Sequence, residues 1–236
     1  MGKSAERFQQ LSTKYLAPLE TTKGNLEFSG PLAAEMAEKL LKKREDYIGV
    51  VPIGSMMGYP ARKSDIDLVL LMENKESKST TGTSSTTFIS SASKRMFETE
   101  MANKIRDKLR WKRDIHCIGG YIDEDSIAEA IDLSLHNHEL PSESGFWLQI
   151  FSPAAIGEHR DEWINLIGIG IKGLSVDERS KVIKGFAGAI VYVEKKSEPK
   201  FRERARMSKE ETEQLSANRQ RLWEKQIAVA LGVQEL

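Results

Sequence analysis

Two stretches of the chain, YIGVVPI (Tyr47–Ile53) and DIDLVLLM (residues 65–72), are apolar runs of strand length, rich in branched side chains. In the second, side-chain alternation puts Ile66, Leu68, Leu70 and Met72 on one face and Asp65, Asp67, Val69 and Leu71 on the other. Both faces are apolar beyond Asp67. That is the pattern of an interior strand whose buried body ends in a polar mouth. RDIHCIGGYI, residues 113–122, predicts a third strand.

Helical spacing fills the gaps between these runs. Gly30-Pro31 opens LAAEMAEKLLKKRE, with Pro suited to a first helical position and Leu32, Met36 and Leu40 recurring at spacing four. Ser93 can cap a helix whose stripe is Phe97, Met101, Ile105 and Leu109, and Ile127, Ile131 and Leu135 mark another. An amphipathic helix is also expected over residues 6–15. Ser175-Val-Asp-Glu178 and Ser208-Lys-Glu-Glu211 each have the residues of a capping box, predicting helices over 176–195 and 209–231. The turn-rich HNHELPSESG, residues 136–145, suggests a boundary between a first domain, 1–140, and a helical C-terminal domain, 141–236.

Composition narrows the class. Lys plus Arg and Asp plus Glu both number 35, so no overall basic excess draws the chain to a long nucleic acid. No run approaches the ~18 apolar residues of a membrane span, and MGKSAERFQQ lacks the apolar core of a secretory signal. The single cysteine, Cys117, excludes an internal disulfide. A soluble cytoplasmic protein is expected. Of the seventeen residues 77–93, twelve are Ser or Thr, which predicts a loop or linker. KKSEPKFRERAR, residues 195–206, holds six basic and two acidic residues and reads as a solvated connection. His116, Cys117, His136 and His138 match no common zinc spacing. The tryptophans Trp147, Trp163 and Trp223 sit at apolar positions and read as core residues, and Gly119-Gly120 as a bulge or a point of close packing.

The chemistry concentrates in GSMMGYPARKSDIDLVLL, residues 54–71. Asp65 and Asp67 point to one side of a strand, with Cα atoms ~6.6 Å apart. Two carboxylates so placed repel unless a cation neutralises them, and a hard divalent ion with oxygen ligands is the ordinary solution. Gly54 permits a tight turn and close backbone approach, as a phosphate-cradling loop requires, and Ser55 adds a hydroxyl and an amide.

Gly54-Ser55 followed after nine residues by Asp65-Ile66-Asp67 resembles the signature of the DNA polymerase beta-like nucleotidyltransferase superfamily, above all its small bacterial and archaeal members. The resemblance implies an α/β fold: a nucleotidyltransferase-type mixed sheet flanked by helices, plus a C-terminal helical domain. It also implies an activity. A nucleoside monophosphate would pass from an NTP, ATP being the first candidate, to an acceptor hydroxyl with release of pyrophosphate. Two Mg²⁺ ions, with Mn²⁺ as a substitute, would be held by Asp65, Asp67 and a third acid. Gly54, Ser55, Arg62, Lys63 and Ser64 would line the nucleotide. The acceptor stays open between a small molecule, a protein side chain and an RNA end. The alternative is a binding module that keeps the fold and acts through a protein partner, antitoxin-like, with little catalysis.

Topology selects the third acid. The end of the first strand and the start of the second share one sheet edge if the two are antiparallel. A helical crossover then returns the start of a parallel third strand to that same edge. Asp114 therefore joins Asp65 and Asp67, with His116 on its face by alternation, whereas Asp123 lies ~30 Å farther along, at the opposite edge.

Overall fold

β2 (Ile66–Glu73) is buried on both faces, which its near-continuous apolar run demands. It forms the centre of a three-stranded sheet of order β1-β2-β3. β1 (Tyr47–Ile53) lies antiparallel to it and β3 (Ile115–Ile122) parallel. The structure, a computed structural model, describes residues 29–53, 65–75, 91–111, 114–195 and 208–233. The expected helix over 6–15, most of the Ser/Thr-rich stretch and nearly all of the basic stretch lie outside the described residues. Among those described, seven α-helices accompany the sheet, so the fold is a mixed α/β one with a small mixed sheet flanked by helices.

One face of the sheet carries α1 (Ser29–Leu41) and α2 (Ser91–Leu109). In α1 the buried side chains are Ala33, Ala34, Ala37 and Leu41. Leu32 is 48% exposed, and Met36 and Leu40 are only partly buried. The line at spacing four is thus a flank of the helix rather than its buried face. The three alanines leave little side chain between helix and strand, so the backbone can approach closely. α2 includes Ser91, so Ser93 lies within the helix rather than capping it, but its stripe follows expectation, burying Met101 and Ile105 with Phe97 and Leu109 packed at the margin.

The other face carries α3 (Glu124–Leu135), α4 (Ser144–Trp147) with the 3-10 turn Leu148–Phe151, α5 (Arg160–Ile171), α6 (Val176–Lys195) and α7 (Lys209–Ala230). Val51, Val69 and Leu71 of the sheet share one hydrophobic cluster with Trp147, Phe186 and Trp223. After residue 141, α4, the 3-10 turn and α5 touch the sheet, and α6 and α7 close the same core behind them. Gly120 is what lets α4 sit close. A Cβ there would lie 2.9 Å from Val69 Cγ1 and 3.2 Å from the Phe146 backbone. The β2–β3 register runs unbroken through Gly119 and Gly120, so this pair serves close packing, not a bulge.

Both sheet edges are covered, as edge strands require. Val50 and Ile156 exchange backbone hydrogen bonds of 2.8 and 3.0 Å outside β1. Beside β3, the Gly119 N–H donates to the Glu98 carboxylate at 2.7 Å.

The later helices start where their local signals place them. Ser175 N–H donates to Glu178 Oε2 at 2.8 Å and Glu178 N–H to Ser175 Oγ at 3.3 Å, opening α6. Ser208 and Glu211 repeat the arrangement at the start of α7. The two helices are clamped by a buried pair. Arg219 donates to both Glu194 oxygens at 2.8 and 2.9 Å, and Trp223 Nε1–H adds a third donor at 3.3 Å. Glu194→Ala strips a guanidinium that is 8% exposed of this carboxylate. It is expected to cost about 3–5 kcal/mol, read as a lower urea midpoint with an unchanged slope.

Candidate active site at one edge of the sheet

The ends of all three strands meet where the topology places them. Ile53, the last residue of β1, is paired with Asp67, and Asp67 with His116. The Ile66 N–H donates to the Asp114 carbonyl at 3.0 Å, bringing the start of β3 beside the start of β2. Asp65 and Asp114 are exposed at the strand ends, and Asp67 sits half-buried two residues farther in. By alternation Asp67 faces the same side as Val69 and Leu71, which pack against the C-terminal helices. The carboxylates thus occupy the rim of that core.

His116 stands against Asp67, its Nδ1 3.3 Å from Asp67 Oδ1. Alternation along β3 assigns His116 to the face of Asp114 but does not name its neighbour on β2. The register supplies that neighbour.

Gly54, Ser55, Arg62, Lys63 and Ser64 lie outside the described residues. Among the described residues, no three carboxylate, imidazole or thiol groups converge closely enough to hold a metal by themselves. A Mg²⁺ ion ordinarily takes one or two carboxylates and completes its shell with water and substrate phosphates. The oxygen donors of Asp65, Asp67 and Asp114 at one edge fit that chemistry.

Asp123 does different work at the opposite end of the sheet. It is 6% exposed and caps α3. Its Oδ1 accepts from the Ser126 N–H at 2.7 Å and the Ser126 hydroxyl at 2.6 Å, and its Oδ2 from Asn74 Nδ2 at 2.7 Å. It ties the exit of β2 to the start of α3. Asp123→Ala is expected to lower stability by about 1–3 kcal/mol in thermal unfolding, because a cap is lost and the half-buried Asn74 amide loses its acceptor.

The remaining chemical candidates are dispersed. His116 and Cys117 are adjacent on β3 and so face opposite sides of the sheet. Burial pushes the Cys117 thiol up to about 12, which removes it as a thiolate. His136 and His138 are exposed after α3, their ring centres 6.3 Å apart. Trp147 and Trp223 are enclosed in the core and offer no stacking face, while Trp163 is partly buried against the same cluster. A depression of about 490 Å³ lies between the ends of α5 and α7, lined by Ile164, Lys172, Arg179, Leu231 and Val233 among others, with no carboxylate in its wall.

No family model, no curated protein and no solved structure matches the chain.

Proposed function

We propose that the protein is a divalent-metal-dependent nucleotidyltransferase with the nucleotidyltransferase type of sheet, its C-terminal helices forming the wall along which an acceptor reaches the rim. The observation that carries the reading is the meeting of Asp65, Asp67 and Asp114 at the one edge from which β1 exits toward Gly54-Ser55. The starts of β2 and β3, far apart in the sequence, place their acids at one sheet edge, which a chance Asp-x-Asp would not require.

In this reading the exposed Asp65 and the half-buried Asp67 would hold the triphosphate's metal. Asp114, exposed at the start of β3, is placed to take the proton of the acceptor hydroxyl. The acceptor oxygen then bonds to the α-phosphorus, the bond to the bridging oxygen breaks, and pyrophosphate leaves. Divalent ions held by these carboxylates would supply charge neutralisation to the phosphates. The glycine-serine turn, by resemblance, contacts the β- and γ-phosphates.

The test is incubation with each labelled NTP and Mg²⁺, with and without small-molecule, protein and RNA-end hydroxyls. Pyrophosphate release with label transferred to an acceptor, or to the chain itself, is the expected result. Silence with every NTP and every acceptor class would replace this reading with that of a binding module acting through a protein partner.

A further inference from the structure

We propose that the depression between the ends of α5 and α7 is a binding site for a small aliphatic carboxylate, separate from the strand edge and independent of the transferase reading. None of the residues lining it belongs to that edge. Its volume, about 490 Å³, lies within the roughly 300–1,000 Å³ of ordinary small-ligand sites. The apolar half is built by local sequence. α7 ends in a left-handed turn at Gly232, φ 67°, from which the Val233 N–H donates back to the Ala228 carbonyl at 2.9 Å and the Gly232 N–H to the Val229 carbonyl at 3.2 Å. This paired closure of a helix C-terminus is one that glycine adopts readily. It folds Leu231 and Val233 back against the core, where they line the depression with Ile164 and Ile171 of α5. Gly168 keeps the space open, since a Cβ there would meet nothing within 4 Å but Leu231 Cδ2, at 3.8 Å.

The polar half is cationic and unanswered. Lys172 and Arg179 line it, and no carboxylate does. Arg179 Nε is buried and has no hydrogen-bond acceptor among the described residues. A guanidinium donor closed off from water without an acceptor is costly, and an acceptor brought by a ligand removes that cost. The residue as a whole is only half-buried, so its guanidinium can turn toward the space. A planar carboxylate is the acceptor that a guanidinium fits best, through two parallel N–H bonds. The aliphatic walls then favour an anion with an apolar body over a free inorganic one.

Octanoate is titrated into the full chain by calorimetry, beside octanol, which carries only the apolar body, and inorganic phosphate, which carries only the charge. The wild type is expected to bind octanoate about tenfold more tightly than either, or better. Arg179→Gln should weaken octanoate by about tenfold or more and octanol by less than about twofold, because only the charge-assisted bonds are lost. Gly168→Leu should weaken both by filling the apolar half. Arg179 Nε supports no hydrogen bond in the fold, so Arg179→Gln is expected to melt close to the wild type. No octanoate binding by the wild type, equal binding of octanoate and either control, or octanoate binding that survives both substitutions would overturn the assignment. So would a dimer in sedimentation that octanoate leaves intact and Ile169→Asp breaks. Ile169 lines the depression and is 68% exposed, and that result would give the surface to a second copy of the chain.

Discussion

Asp67→Asn is expected to abolish nucleotidyl transfer, lowering turnover by a factor on the order of 10³ or more, while the protein remains folded. The substitution keeps the size and one oxygen of the side chain but removes its charge, which metal binding uses and packing does not. Asp67 is 27% exposed, and its contact with the more exposed His116 is of the surface kind that contributes about 0–1 kcal/mol. Loss of that contact should therefore move stability by about 1 kcal/mol or less. Pyrophosphate release and a thermal melt on the same preparation make the comparison. A folded Asp67→Asn protein with wild-type turnover would reject the metal-site assignment outright. A protein that loses turnover only because it unfolds would show that Asp67 serves the fold.

The elements that were legible in the sequence are those specified locally. The capping boxes at Ser175 and Ser208 place their helices to the residue, because the signal and the structure it makes lie within one turn. The strands at Tyr47–Ile53 and Ile66–Glu73 follow from apolar runs too short for a buried helix between turn signals. Antiparallel and then parallel pairing also follows, since connection lengths admit few alternatives. Burial by a partner was not legible. The periodicity of α1 offers Leu32, Met36 and Leu40 as a stripe, yet the sheet selects the alanine line because small side chains permit the closest approach. The shared core of the sheet and the C-terminal helices was hidden for the same reason, since nothing in HNHELPSESG reports what Trp147 and Phe151 later pack against. At the site, alternation assigns faces and topology assigns the edge. The contact between His116 and Asp67 needs the register, which a shift of two residues along β3 would change without altering any face.

Asp114→Asn is expected to separate binding from chemistry: turnover falls by about a thousandfold or more, while the dissociation constant for Mg-ATP stays within roughly threefold of the wild type. The carboxyl is exposed at the start of β3, and what holds the strand there is the Asp114 carbonyl, which accepts from the Ile66 N–H at 3.0 Å and is untouched by the substitution. The fold therefore keeps its edge, and Asp65 and Asp67 keep the carboxylates proposed to hold the nucleotide's metal. What is lost is the group proposed to take the acceptor's proton, an interaction needed in the transition state rather than in the ground state. Asp123→Asn is the matched control at the far end of the sheet. It retains an oxygen to accept from the Ser126 N–H at 2.7 Å, and Asn ranks with Asp as a cap, so turnover should hold within about twofold. Calorimetric titration of Mg-ATP and single-turnover rates on both variants decide the matter. An active Asp114→Asn enzyme would remove Asp114 from the mechanism, whereas loss of Mg-ATP binding in that variant would move it from proton acceptor to essential metal ligand.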